Sequence, residues 1–229
     1  MSKVEGTRDR EVKGVIFDLD NTLVNFVEAK LIACEEVIDH LDTGDPKELF
    51  YQFLNGDHHI EDPQNIKDYL ESKNKYDHEA YERCSDIYRS TKLENIKLYS
   101  GVKQVLGEIR EKGLKIGLVT DAESADAMDR LKKVDLIDSF DTIVTFDDTG
   151  KKKPNKEPFI YCLDQMELKP EEVVLVGDSL DRDIDPGKKI GMITVHAGYG
   201  DENYMEKREV EAAHSIEEID ELIDILNEI

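Results

Sequence analysis

The chain has no tryptophan and only three cysteines, Cys34, Cys84 and Cys162, in 229 residues. Their odd number, wide spacing and lack of any Cys-x-x-Cys argue against a disulfide framework or a zinc ribbon, and make a reducing cytoplasm the expected compartment. No apolar run approaches the roughly 18 residues of a membrane-crossing helix. The opening segment, MSKVEGTRDREVKG, has no apolar stretch of the kind a signal peptide carries. Basic residues are also scarce: 30 Lys and Arg stand against 53 Asp and Glu, a formal charge of −23. So acidic a chain repels phosphate backbones and anionic lipid, so neither nucleic acid nor a membrane is an expected partner. The phosphate loop G-x-x-x-x-G-K-[ST], the dinucleotide fingerprint G-x-G-x-x-G and the zinc pattern H-E-x-x-H are all missing. Gly198-Tyr-Gly200 is a fragment that reads as a turn.

What is present is enough for a folded core. Hydrophobic residues make up 39% of the chain and keep a regular spacing along most of it, which excludes wholesale disorder despite 36% charged residues. The excess charge suits a salty or hot cytoplasm as well as it suits a merely soluble surface. Residues 1–11 are polar and read as a frayed start. Five short runs rich in Val and Ile read as strands buried on both faces: 12–17, 114–119, 141–146, 173–176 and 192–195. Helical spacing lies between them. Val102, Val105, Leu106 and Ile109 form one stripe that stops at Lys112-Gly113, and residues 124–133, 156–166 and 183–190 are further helices. Ser215-x-x-Glu218 reads as a capping box that opens a last helix with Ile216, Ile219, Leu222, Ile223 and Leu226 on its apolar face. Such alternation predicts an α/β fold, a doubly wound parallel sheet.

Residues 25–97 differ, because they contain no convincing strand. Val24, Val27, Leu31, Cys34, Ile38 and Leu41 keep helical spacing until Thr43-Gly-Asp-Pro46 breaks it. Leu49, Phe50, Phe53 and Leu54 follow, then the loop 55–63, then a helix marked by Ala80, Cys84, Ile87, Tyr88 and Thr91. The expected division is a core of 1–24 with 98–229, and an inserted all-helical cap of 25–97.

Four signals share one position, the C-terminal end of a predicted strand or the loop beyond it. Asp18-Leu19-Asp20 ends the first strand. Residues i and i+2 of an extended chain face the same way, so two carboxylates meet above the sheet edge, where open α/β sheets bind ligands. Standing alone in an acidic chain, such a pair is most often two solvated loop acids. Gly177-Asp178-Ser179, with Asp183 beyond it, ends another strand. Asp181-x-Asp183-x-Asp185 imitates a calcium loop, but Pro186 and Met192 stand where that loop needs Gly and Glu. Thr120-Asp121 ends a third strand, and alone would be read as a helix cap. Lys153-Pro154 lies in the run Lys151-Lys-Lys153. His58-His59 reads as an exposed loop pair, His196 as structural, and Arg83 and Arg89 as surface ion-pairing residues.

Taken together, Asp18-Leu-Asp-Asn-Thr-Leu23, Thr120, Lys153-Pro154 and Gly177-Asp-Ser-Leu-Asp-Arg-Asp183 resemble the motifs of the haloacid dehalogenase (HAD) superfamily of phosphohydrolases, in the same order and across residues 12–196. The chain departs from the family's Lys-Pro-x-Pro-x-x-Phe in having Lys156 at the second proline, which leaves Lys152 and Lys156 as alternatives to Lys153 for the functional amine. The resemblance implies a HAD-like Rossmannoid core and Mg²⁺ as cofactor. It also implies a phosphatase of small phosphorylated metabolites: triose phosphates, phosphoglycolate or sugar phosphates. Asp18 would be the nucleophile and Asp20 the acid and base; Asp18, Asp20 through its carbonyl, Asp178 and Asp183 would form the metal site. Thr120, Asp121 and Lys153 would bind the phosphoryl group. The cap position is similar to that of the phosphoglycolate-phosphatase-like branch, with hinges near Val24-Asn25 and residues 96–100. The Lys-, Glu- and Ile-rich composition leans toward archaeal members that act on glyceraldehyde 3-phosphate. The alternatives are a phosphomutase of the same family and a non-catalytic regulatory or scaffold protein on the same fold. A dehalogenase is disfavoured, since that branch typically lacks the second acid.

Overall fold

The sheet is built outward from β1 (Gly14–Phe17), whose four residues are all buried. The computed structural model describes residues 11–56, 58, 61–201 and 210–229. The expected frayed start lies almost wholly outside those residues, as does His59. β1 pairs in parallel with β2 (Lys115–Val119) on one side and β4 (Val173–Gly177) on the other. β3 (Thr142–Val144) lies beyond β2, and β5 (Ile193–Ala197) and β6 (His214–Ile216) lie beyond β4. The order β3-β2-β1-β4-β5-β6 is parallel throughout, the topology of a doubly wound sheet. Val15, Ile16 and Phe17 are shut off from solvent completely. Each contributes roughly 1.5–3 kcal/mol of apolar burial, which is why the central strand tolerates no polar residue.

Helices connect the strands: α5 (Val102–Glu111) before β2, α6 (Ser124–Lys133) after it, and α7 (Phe146–Thr149) and α8 (Glu157–Met166) between β3 and β4. α9 (Asp185–Ile190) precedes β5, and α10 (Glu221–Glu228) ends the chain. Gly113, with φ of 75°, takes the left-handed conformation just past α5, as its stop signal predicts. Two expectations are corrected. The strand read over 141–146 ends at Val144, because Thr145 turns the chain and caps α7. Ser215 lies inside β6 and caps no helix; α10 begins six residues later, where the Glu221 carboxylate accepts from the Glu217 and Glu218 amides at 2.9 and 2.8 Å. β6 escaped notice because only His214, Ser215 and Ile216 form it, and Ile216 alone of these is buried.

The chain divides into two compact units, Met1–Asn25 with Leu98–Ile229, and Phe26–Lys97. Among the described residues, the second is built of helices: α1 (Phe26–Leu41), α2 (Pro46–Asn55), α3 (Gln64–Ser72) and α4 (His78–Asn95). Asp45 caps α2 by accepting from the Lys47 amide at 2.8 Å, with Pro46 in the first turn, so the break in sequence periodicity is a helix start. The sequence reading missed α3, whose inward face is mainly Ile66, Tyr69 and Leu70. These pack with Leu49, Phe50, Phe53, Cys84 and Tyr88 into a separate core. Within the first unit, Val24 and Leu98 form an antiparallel bridge, so the two strands of chain bordering the insertion are paired to each other.

All three cysteines are free and buried. Burial pushes the Cys34 and Cys162 thiols up to about 12. At pH 8 their thiolate fraction is then on the order of one in ten thousand. Native protein should therefore react with a thiol-specific chromogenic disulfide at well under one equivalent per chain over an hour, and at three equivalents in guanidinium. Rapid reaction of the native form would show that these cores open.

Candidate active site

Parallel strands bring their C-terminal ends to one edge, and the candidate residues lie in the turns just past those ends. Asp18 follows β1, Thr120 follows β2 and Asp178 follows β4, while Lys153 and Asp183 come from the loops beyond β3 and β4. The Asp18 amide donates to the Val176 carbonyl at 3.0 Å, so the strand pairing continues into the first acid. The turn that follows is tight: the Leu23 and Val24 amides both donate to the Leu19 carbonyl, at 2.9 and 3.1 Å. Leu19 itself is fully buried, and the acids on either side of it are left at the edge.

Lys153 stands at the centre. Its Nζ donates to Asp18 Oδ1 at 2.5 Å and to Asp183 Oδ1 at 2.6 Å, and all three side chains are at least nine-tenths buried. Burial alone would drive the Lys153 ammonium down; the carboxylates of Asp18, Asp183 and Asp121 outweigh it and hold the amine charged. Lys152 instead lies over the Phe146 ring, and Lys156 is exposed, so among the three candidate amines the geometry favours Lys153. The Lys153–Pro154 peptide is cis.

Asp18, Asp178 and Asp183 each bring a carboxylate oxygen within 4.8 Å of the others. Two buried acids, Asp18 and Asp183, with the partly buried Asp178 and one lysine amount to a net charge of −2 if all are ionised. Burial, then the charges of Asp18 and Asp183, push the Asp178 carboxyl well above its ordinary range, and burial raises Asp183 against the pull of Lys153. These acids repel one another and cannot all ionise cheaply without a cation. The donors are hard oxygens, already oriented by protein hydrogen bonds. Thr22 Oγ1 accepts from the Asp178 amide at 3.0 Å and donates to its carboxylate at 3.3 Å, and the Ser179 amide donates to Asp183 Oδ2 at 3.2 Å. Charge, donor type and spacing all fit a divalent ion such as Mg²⁺.

Local backbone makes this crowding possible. Asp183 sits in a single π turn, Leu180–Ile184, which tucks its side chain against Gly177. A Cβ at Gly177 would stand 2.5 Å from the Asp183 Cβ, closer than real atoms approach. A Cβ at Gly200 would lie 1.6 Å from the Asn21 carbonyl oxygen, so the turn after β5 also presses on the Asp18 loop through a position open only to glycine. Tyr199 adds a hydroxyl that donates to the Thr22 carbonyl at 2.7 Å.

The remaining candidates take distinct places. Thr120 is buried, and its Oγ1 accepts from the Ala122 amide at 3.2 Å, leaving its O–H to donate. Both Asp121 oxygens are engaged by protein, one by the Lys153 amide at 2.8 Å and the other by Arg182. Asp121 thus ties the Lys153 loop to the Asp183 turn, and what it offers a phosphoryl group is backbone rather than carboxylate. Asp20 pairs with Arg130, a buried residue of α6 that the sequence reading missed. His196 Nε2 lies 2.9 Å from the Asp178 carbonyl and 3.1 Å from the Asp201 carboxylate, bracing the backbone of a site residue. Its signal in sequence was only its place at the end of a strand. In the helical unit, His58 pairs with Asp68 at 3.1 Å, and Arg83 and Arg89 line a shallow surface groove on α4.

Comparison with known proteins finds relatives in sequence and in fold. A family model described as haloacid dehalogenase-like hydrolase matches residues 15–197. A glyceraldehyde 3-phosphate phosphatase of Methanocaldococcus jannaschii is 33% identical over 230 residues, 95% of this chain and 98% of that protein. Pyrophosphatase PpaX of Halalkalibacterium halodurans is 28% identical over 223 residues, 94% and 97% of the two chains. The crystal structure of a HAD phosphatase from Thermococcus onnurineus superposes with a TM-score of 0.64 at 24% identity, covering 94% of this chain and 98% of that one, a likeness of fold.

Two outcomes follow for the metal-free protein. Lys153→Met strands two buried carboxylates and should cost roughly 3–5 kcal/mol in urea unfolding; a loss below about 1 kcal/mol would mean that Lys153 is not their counter-charge. Asp178 binds its proton more tightly folded than unfolded, so folding takes up protons above the ordinary carboxylate range, and its contribution to stability falls as pH rises from there toward neutrality. Asp178→Asn should remove that part of the slope above the ordinary carboxylate range, and an unchanged slope would place the Asp178 carboxylate in solvent.

Proposed function

Because the chain belongs to the haloacid dehalogenase-like hydrolases, we propose that it is a Mg²⁺-dependent phosphatase of a small phosphorylated metabolite, working through an aspartyl-phosphate on Asp18. The observation that carries this reading is the convergence of Asp18, Asp178, Asp183 and Lys153 at one sheet edge. Triose phosphates lead the substrate classes, since the relative from M. jannaschii is a glyceraldehyde 3-phosphate phosphatase and aligns over nearly the whole of both chains. Pyrophosphate comes second through the PpaX relative. The three buried free thiols suit a reducing cytoplasm.

In this mechanism Asp18, Asp178, Asp183 and the carbonyl of Asp20 hold the metal site. When bound, the cation offsets the negative charge that carboxylates and phosphoryl oxygens bring together. Lys153 fixes the Asp18 carboxylate and adds a positive charge beside it. The Thr120 hydroxyl and the amides that follow it hold phosphoryl oxygens. The Asp18 carboxylate attacks phosphorus while the bond to the leaving oxygen breaks, and Asp20 gives that oxygen a proton. Asp20, now a carboxylate, takes a proton from water as the water displaces Asp18, releasing inorganic phosphate. Positioning and charge supply most of the rate in phosphoryl transfer, and both depend on the Lys153-centred cluster.

Phosphate release should be measured over a panel of triose phosphates, phosphoglycolate, sugar phosphates, pyrophosphate and p-nitrophenyl phosphate, with Mg²⁺ and with EDTA. EDTA should abolish turnover, and Asp18→Asn should lower it by at least about 10³-fold with the fold retained. Asp20→Asn should accumulate a covalent phosphoenzyme, seen as an acid-stable increase in intact mass. Equal rates with Mg²⁺ and EDTA would favour a non-catalytic role, and interconversion of hexose phosphates with a bisphosphate activator would make the chain a mutase.

A further inference from the structure

α6 carries an arginine where its apolar face should continue. Ala127, Arg130 and Leu131 are its buried residues, one stripe at helical spacing, and Arg130 is only 3% exposed. A lone buried guanidinium is costly unless a carboxylate meets it. One such partner is Asp20, whose carboxylate lies in direct contact with Arg130 Nη1. The geometry of the helix explains the reach. α6 begins just past β2, at the edge that carries the site, and side chains on a helix lean toward its N-terminus. Arg130 therefore runs back along α6 toward the edge and ends on the carboxylate two residues after Asp18.

We propose that Arg130 is a positioning residue for Asp20: its guanidinium fixes the place of the side chain that, as a protonated carboxyl, gives its proton to the departing alkoxide and then, as a carboxylate, takes one from water. The inference rests on the phosphatase reading above and adds a residue that neither the motifs nor the metal site require. The other site acids are held by residues of the loops at the sheet edge, Asp18 and Asp183 by Lys153 and Asp178 by Thr22. Asp20 is held from within a helix, α6.

A residue that acts through the acid affects substrates according to how much their leaving groups need a proton. Alkyl phosphates need one as the phosphorus–oxygen bond breaks, with the proton moving from Asp20 to the alkoxide oxygen. p-Nitrophenyl phosphate releases a phenolate that is stable without it. kcat/KM reports the step up to phosphoenzyme formation for both.

The test compares Arg130→Met, Arg130→Lys, Asp20→Asn and the double variant on the best alkyl substrate and on p-nitrophenyl phosphate, with thermal unfolding as the check of fold. Arg130→Met should lower kcat/KM for the alkyl phosphate at least tenfold more than for the aryl phosphate. Arg130→Lys should recover part of the difference and serves alone if the Met variant does not fold. Asp20→Asn should show the same split, and adding Arg130→Met to it should cost less than about threefold more. Equal losses on both substrates, or multiplying losses in the double variant, would overturn the inference and leave the phosphatase reading standing. A wild-type protein that hydrolyses none of the monoesters would remove both.

Discussion

The arrangement of the core unit depends on an electrostatic imbalance: two buried carboxylates on one ammonium, with a third, partly buried carboxylate beside them. An isolated protein rarely keeps such a grouping, because each buried charge loses several kcal/mol of hydration that its neighbours must return. Lys153 returns part of it to Asp18 and Asp183. In the proposed mechanism the rest comes from a divalent ion and a phosphoryl group, which carry charges of opposite sign and neutralise each other. The cluster is thus incomplete by design of its charges, and the same incompleteness makes it chemically useful.

The fold supplies the rigidity that holds this imbalance in place. β1 sits between β2 and β4 in a fully parallel sheet, so three turns leave the same edge from adjacent strands. Neighbouring groups then lock those turns. Thr22 bonds to the backbone and side chain of Asp178, Asp121 joins the Lys153 loop to Arg182, and His196 meets the Asp178 carbonyl. Gly177 and Gly200 allow approaches that any side chain would block. These contacts fix carboxylate positions before a ligand arrives, which is the condition for electrostatic catalysis.

Much of this was legible in the sequence because it obeys short-range rules. Buried parallel strands are continuous Val and Ile runs, and chemistry at their C-terminal ends shows as acids and hydroxyls directly after them; Asp18, Thr120 and Asp178 are all found that way. Lys153 could be placed among three lysines only once the chain was folded, since its burial depends on Asp18 and Asp183 meeting from other elements. Arg130 stayed hidden for the same reason: it is a single polar residue whose partner Asp20 lies far away in the chain. His196 was read as structural from its place at a strand end, and only the fold shows that it meets the Asp178 carbonyl. β6 was missed because only one of its three residues is buried; α3 does carry helical spacing at Ile66, Tyr69 and Leu70, but over a single turn of a nine-residue, otherwise polar segment. The capping-box reading at Ser215 failed because a three-residue edge strand claimed that serine first.

The central claim is that Asp18, Asp178 and Asp183 jointly hold one divalent cation beside Lys153. Titration calorimetry of Mg²⁺ into the metal-free protein tests it most directly, with Asp178→Asn as the comparison. One site per chain in the wild type, lost or weakened at least tenfold in Asp178→Asn with the fold intact, is the predicted result. Equal affinity in the two proteins would place the ion elsewhere and contradict the account.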